Sequence, residues 1–351
     1  MIAEDQPGDV RTGEEINLPE LNRYLSAHTG IESLIHQWQF PGGYSNLTYL
    51  LTTDSGKEYI LRRPPKGAAI KSAHDMSREF NLLTALQPHY KQIPKPVHLT
   101  EDATVLGAPF YLMERLHGVI LRPSLVKNIK IAPDEMKAIS EALVDNLVAL
   151  HAIDIHACGL IAIGKPEGYV TRQVEGWTKR YVASQTDNIE AMDAVGQWLA
   201  AHIPAEHSPT LLHNDYKFDN IVLDEHTLST IRGVLDWEMA TVGDPWMDLG
   251  ASLAYWAESG DDDLAKVFNV SWLPGNLSRK QVVERYQEKS GRQADPIFYY
   301  VFGLFKNAVI AQQIYARWKQ GHSTDPRFGQ LIHVIHNLAG RGRQALDTLS
   351  L

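Results

Sequence analysis

Apolar and polar positions change their spacing several times along the chain, and each change marks an element. Residues 1–17 carry Pro, Gly and acidic side chains without a period, the pattern of a loose arm, and residues 18–28 then read as a helix. From Ile35 the spacing shortens to strand-like alternation. Residues 48–53 and 58–62 are two such runs separated by Asp54-Ser55-Gly56-Lys57, a hairpin signal. Met76, Phe80, Leu83 and Leu86 recur every three or four positions, so a helix is expected over 73–86, with Pro88 just beyond its end. Further strands are expected at 97–100 and 110–116, and His117-Gly118 offers a turn out of the small sheet.

Beyond Pro133 the helical period dominates. Met136, Ile139, Leu143, Leu147 and Leu150 mark one face of a long helix ending near His151. The stretch 162–188 mixes Gly, Pro, Thr and Gln and reads as an insertion with a helix somewhere after Tyr169. Helices are expected again at 190–202, 246–258, 279–289, 296–318 and 327–347, enclosing a loop-and-strand segment at 211–241. The pattern therefore divides the chain into an arm and helix (1–34), a small antiparallel lobe (35–118) and a larger, mainly helical lobe (119–351).

Bulk properties narrow the function classes. A chain of 351 residues with 44% hydrophobic and 21% charged residues can bury a core in each of two lobes. Asp and Glu outnumber Lys and Arg by 42 to 33, a net charge of -9, which argues against nucleic acid as a partner. The single cysteine, Cys158, excludes an intrachain disulfide and suits a reducing cytoplasm. Residues 1–20 contain no apolar core of an export signal, and no long apolar run suggests a membrane span, so a cytoplasmic protein is expected.

The chemistry concentrates in Leu211-Leu212-His213-Asn214-Asp215-Tyr216-Lys217-Phe218-Asp219-Asn220, followed by Ile221-Val222-Leu223 and then Val234-Leu235-Asp236-Trp237-Glu238. An Asp with an Asn five residues later, and a second Asp after a short hairpin, supplies what phosphoryl transfer to a hydroxyl requires. Asp215 is the candidate base that meets the acceptor hydroxyl. Asn220 and Asp236 are the candidate oxygen ligands for Mg²⁺ on the phosphates of ATP. His213 is expected to brace the loop by hydrogen bonding. Lys217 either approaches the transferred phosphate as an extra cation or points to water. Taken singly, each residue fits a plain turn or strand end. No His-Glu-x-x-His, Cys-x-x-Cys, Gly-x-Ser-x-Gly or Walker run is present, which argues against zinc enzymes, α/β hydrolases and P-loop ATPases.

These motifs resemble the aminoglycoside phosphotransferase and choline kinase family. Gly243-Asp244-Pro245-Trp246-Met247-Asp248-Leu249-Gly250 is similar to that family's Gly-Asp-Pro-x-x-Asp-Leu segment, which implies that Asp248 braces the catalytic loop; Asp244 reads as a helix cap. Leu61-Arg62-Arg63-Pro64-Pro65, the run 107–115 and Leu235-Asp236-Trp237-Glu238 resemble most the subgroup related to the phosphotransferase domain fused to acyl-CoA dehydrogenases. The resemblance covers about residues 35–345. It implies an α+β, bilobed, protein kinase-like fold with ATP between a small sheet lobe and a helical lobe.

Within that frame Gly43, Ser45 and Asn46 fall at a phosphate-covering loop, although a Gly-Gly turn between strands would read the same way. Arg62 stands where related enzymes place a lysine on the phosphates, with Glu79 as its expected partner; a solvated surface pair is the alternative. The resemblance also implies adenine bonding by the main chain near Glu114 and Leu116. The expected activity is transfer of the γ-phosphate of ATP, with Mg²⁺, to a hydroxyl of a small molecule. A hydroxyacyl-type metabolite fits the subgroup. An aminoglycoside is the alternative and would need an acidic cleft, and a kinase-like binding protein without chemistry is the remaining rival.

Overall fold

In the computed structural model, which describes residues 5–41, 46–65, 76–124, 130–323 and 325–351, the first helix is α1 (Leu18–His28). Asn17 caps it, its side chain accepting from the Glu20 amide, and Leu21 and Leu25 form its buried stripe. The strands β1 (Leu34–Gln39), β2 (Leu47–Thr53) and β3 (Glu58–Arg63) follow, with Tyr49 opposite Leu61 in the antiparallel β2–β3 hairpin. Gly56 takes φ 81° in its turn, a conformation that side chains resist. Helix α2 (Met76–Leu86), strand β4 (Pro96–Thr100), the short α3 (Ala103–Leu106) and β5 (Phe110–Glu114) complete a five-stranded sheet of order β1-β2-β3-β5-β4. Alternation sorts its faces: Tyr49, Leu51, Leu61 and Leu112 join Leu21 and Leu25 in one apolar cluster.

The second half of the chain runs through α4 (Pro133–His151), α5 (Tyr169–Ser184), α6 (Glu190–Ala201), β6 (Thr210–Leu212), β7 (Ile221–Leu223), β8 (Ile231–Val234) and β9 (Thr241–Gly243). It ends in α7 (Pro245–Tyr255), α8 (Asp263–Lys266), α9 (Arg279–Ser290), α10 (Ile297–Lys319) and α11 (Leu331–Thr348). Helix α10 is buried over most of its length because α5, α6, α7 and α11 all pack on it. It crosses α7 so closely that a Cβ at Gly303 would lie 2.3 Å from the Gly250 carbonyl oxygen. Two glycines thus fix the spacing of the helices that carry Asp248 and Lys306. Among the described residues no helix is long and apolar enough to cross a membrane.

The chain forms two compact units. The first comprises residues 1–120 with 222–227 and 231–238, and the second comprises 121–221, 228–230 and 239–351. The division falls two residues after His117-Gly118, but the segments 222–227 and 231–238, expected in the larger lobe, belong to the first unit. The bridge between Val119 and Leu223, whose amides each bond the other's carbonyl at 2.8 Å, ties them there.

Within 162–188, read as an insertion, the helix expected after Tyr169 is α5. Val170, Val174, Trp177 and Tyr181 follow one another at four- and three-residue spacing and are buried in α5, which packs on α10 and α6. Polar Thr, Gln and Lys residues between them masked the period. The buried face of α2 also differs from the expected one. Glu79 is 2% exposed while Phe80 is half-buried, because an ion pair draws Glu79 inward.

Candidate active site

In the second unit, β6 delivers His213 and the chain then turns sharply. Asn214 adopts φ 65°, a left-handed conformation that most side chains resist and asparagine tolerates better than most. Asp248, fully buried in the first turn of α7, holds this turn. Its Oδ2 accepts from the His213 amide at 2.7 Å and its Oδ1 from the Asn214 amide at 2.7 Å. His151 Nε2 lies 3.1 Å from Oδ2, and the other ring nitrogen is 2.7 Å from the Tyr286 hydroxyl. Burial alone would raise the Asp248 pKa; the hydrogen bond and charge of His151, with His213, bring it below the usual carboxylate range. The Asn214 carbonyl accepts from Lys306 Nζ at 2.8 Å, and its side-chain amide donates to the Met239 carbonyl at 3.0 Å.

The turn presents Asp215. Its amide donates to His213 Nδ1 at 3.2 Å, which is the brace expected of His213. Its carboxylate is flanked by Lys217 Nζ at 3.0 Å and by Asn220 Nδ2 at 2.9 Å, and the Asn220 amide also donates to the Asp215 carbonyl. The nitrogen of Asn220 is therefore committed to Asp215, and its oxygen is the atom it can offer a cation. Lys217 does not point to water. Its side chain is 19% exposed and its ammonium lies 4.6 Å from the Tyr255 ring centroid. Burial works against that charge, but Tyr255 and then Asp215 hold the Lys217 pKa above its ordinary value.

In the first unit, Arg62 gathers three carboxylates. Its guanidinium donates to Glu79 at 2.6 Å, to Asp236 at 3.1 Å and to Glu238 at 3.5 Å. Arg62 is 8% exposed, so the surface-pair alternative is excluded. Glu79 also accepts from the Trp237 amide at 3.2 Å. Burial opposes the Arg62 charge, yet Glu79, followed by Tyr111, Asp236 and Glu238, raises its pKa well above the ordinary value; burial pushes the Glu79 carboxyl up against the pull of Arg62. Asp236 takes φ 66°. Apart from Leu349 near the C-terminus, Asn214 and Asp236 are the described non-glycine residues with positive φ. Strain of this kind persists where surrounding structure imposes it.

The other expected nucleotide residues divide. Gly43 and Ser45 lie outside the described residues. Asn46 is 1% exposed, and its amide donates to Glu238 at 2.9 Å, which ties the start of β2 to the Arg62 cluster. Glu114 ends β5 opposite Tyr59 of β3, and its amide donates to the Lys95 carbonyl at 2.9 Å. The Leu116 side chain lies against Gly233, where a Cβ would fall 2.2 Å from Leu116 Cδ1. Asp244 is a helix cap, accepting from the Trp246 amide at 2.9 Å.

Four contributors went unnoticed in the sequence. Glu238 sat within the quoted Asp236 motif, and Lys306 is the one cation in the apolar run 297–316, a signal that was legible. Tyr255 and His151 had none, since each closes a helix by periodicity and gains its role only from packing.

The pattern of the phosphotransferase enzyme family matches residues 37–282, and the chain belongs to that family. It is 32% identical over 348 residues to acyl-CoA dehydrogenase family member 10 of Mus musculus, covering 94% of this chain and 31% of that protein. It is also 32% identical to acyl-CoA dehydrogenase family member 11 of Rattus norvegicus, covering 96% of this chain and 44% of the relative. The chain thus spans a third to under half of these relatives. A crystal structure from Ralstonia eutropha, named for the aminoglycoside phosphotransferases, superposes with TM-score 0.79 at 29% identity over 95% of this chain and 99% of that one. An aminoglycoside phosphotransferase solved with GDP and kanamycin shares the fold at TM-score 0.63 and 15% identity, over 93% of this chain and 99% of its own.

Proposed function

We propose that the protein transfers the γ-phosphate of ATP to a hydroxyl of a small molecule, with a hydroxyacyl-type metabolite as the acceptor. The observation that carries this reading is the Asp215 carboxylate, flanked by Lys217 and Asn220 on a loop that Asp248 braces from below. Asp215 orients the acceptor hydroxyl and takes its proton as the oxygen–phosphorus bond forms and the bond to the ADP oxygen breaks. Lys217 offsets the charge that gathers on the transferring group. Arg62 binds phosphate, held by Glu79. Asp236, whose side chain is 36% exposed beside that guanidinium, is the carboxylate there that can turn an oxygen to a hard divalent ion. Asp236 in the first unit and Asn220 in the second are the candidate Mg²⁺ ligands, and the ion when bound would neutralise charge on the ATP phosphates.

The acyl-type acceptor draws support from the names of the relatives, which are acyl-CoA dehydrogenase family members. The complete Asp215 loop disfavours a binding protein without chemistry. The reading is tested by following ³²P from labelled ATP with Mg²⁺ into hydroxyacyl-CoAs, 3-hydroxybutyrate, amino alcohols, glycerol and kanamycin. Transfer to a hydroxyacyl compound is expected; tight ATP binding with no transfer to any of them would contradict the assignment. In the same assay Arg62→Gln should raise KM for ATP by about tenfold or more, the loss of a charge-assisted contact, with a smaller change in KM for the acceptor. An unchanged KM for ATP would remove Arg62 from the phosphate site.

A further inference from the structure

The second unit holds a cavity of about 300 Å³ whose lining carries four cations, Lys165, Arg172, Arg180 and Lys306, and no acidic residue, in a protein of net charge -9. The cavity is built, not incidental. Tyr169, Arg172, Trp177 and Arg180 recur at helical spacing and so share one face of α5. The Arg172 guanidinium donates to the carbonyls of Lys165 and Glu167, which anchors it to the loop before the helix. Arg180 lies 4.6 Å from the Trp177 ring centroid, stacked on a side chain that is itself buried.

Lys306 enters from α10 and is 5% exposed. Its ammonium bonds the Asn214 carbonyl at 2.8 Å, and Asn214 also lines the cavity. The cavity therefore adjoins the residue that precedes Asp215. Burial pulls the Lys306 pKa down, against the opposing pull of Asp215 and then Asp248, so a bound anion would help to keep its charge.

We propose that this cavity is the acceptor subsite, and that Arg172, Arg180, Lys165 and Lys306 select an alcohol bearing a phosphate or carboxylate group whose hydroxyl then reaches Asp215. Trp177 supplies an apolar wall for the carbon chain between the anion and the hydroxyl. A polycationic acceptor such as an aminoglycoside would meet like charge here, which costs binding at every contact. The acidic cleft that such an acceptor needs is not what this cavity provides.

The inference rests on the phosphotransferase reading, and two arms separate its failure from that of the reading. In the first, 3-hydroxybutyrate and coenzyme A, as carboxylate and phosphate probes, are titrated calorimetrically into the nucleotide-free protein. Saturable binding of one of them is expected, weakened about tenfold or more per guanidinium in Arg172→Gln plus Arg180→Gln, with Mg·ATP binding unaltered. Both arginines are exposed, so the variant should fold normally. The second arm compares KM and kcat for the transferred acceptor in the same pair of proteins; KM should rise at least as much as the affinity falls, with kcat nearly constant. Binding of neither probe, or binding indifferent to the double substitution, would overturn the anion subsite even if transfer occurs. Arginine-dependent binding without transfer would keep the subsite and sink the phosphotransferase reading.

Discussion

Asp215→Asn is expected to lower kcat by about two to four orders of magnitude, the usual contribution of a positioned general base, while KM for ATP stays nearly constant. The substitution is close to isosteric and keeps a hydrogen-bonding oxygen for Lys217 or Asn220, which flank the carboxylate at 3.0 and 2.9 Å. What it removes is the negative charge that accepts the hydroxyl proton. The loop should remain in place, because its shape is held from Asp248 and from Lys306 through the main chain of residues 213 and 214. The melting temperature is therefore expected to move by no more than a degree or two. A variant that loses activity only by unfolding would show that Asp215 shapes the loop instead of serving the chemistry.

Asp248→Ala is expected to destabilise the protein by on the order of 3 kcal/mol or more, since it strands buried partners of one carboxylate at once. The His213 and Asn214 amides and the His151 ring all meet that group. Activity should fall as well, because Asn214 sits at a left-handed φ of 65° that needs an external hold. Denaturant unfolding followed beside turnover separates the two effects. The sign of the pH dependence follows from the folded pKa lying below the unfolded value. The stabilisation by Asp248 is full above the ordinary carboxylate pKa of roughly 4 and is lost as pH falls through the folded one. The stability gap between the native chain and Asp248→Asn should thus narrow below about pH 4; a gap independent of pH in that range would contradict the assignment.

Most of the fold was legible because period and turn chemistry agreed. The β2–β3 hairpin, α1, α4 and α10 fall within a few residues of their expected bounds, each with an apolar face of its own. The shortfall came where tertiary contacts override local pattern. Residues 162–188 read as an insertion because polar residues diluted the Val170–Val174–Trp177–Tyr181 stripe, and only α10 reveals why that stripe is apolar. The return of 222–227 and 231–238 to the first unit follows from tertiary contacts, among them the Val119–Leu223 bridge and the Val234 amide on the Gln92 carbonyl, which nothing local announces. Asp215, Lys217 and Asn220 were visible because loop chemistry fixes their spacing in sequence, and Asp248 only through the family resemblance of residues 243–250. The cationic cavity was not, since it joins residues of α5 to Lys306 more than a hundred positions away. The net charge of -9 pointed away from it, for a sum over the whole surface says nothing of one recess.

The central claim is that the loop bearing Asp215 moves phosphate to an alcohol, and ³¹P NMR of the protein with Mg·ATP and a hydroxyacyl-CoA tests it most directly. The account predicts a new phosphate monoester resonance growing as the γ-phosphate signal of ATP declines, with no such resonance from Asp215→Asn over the same time. Inorganic phosphate as the sole product, or monoester formed equally fast by the variant, would contradict it.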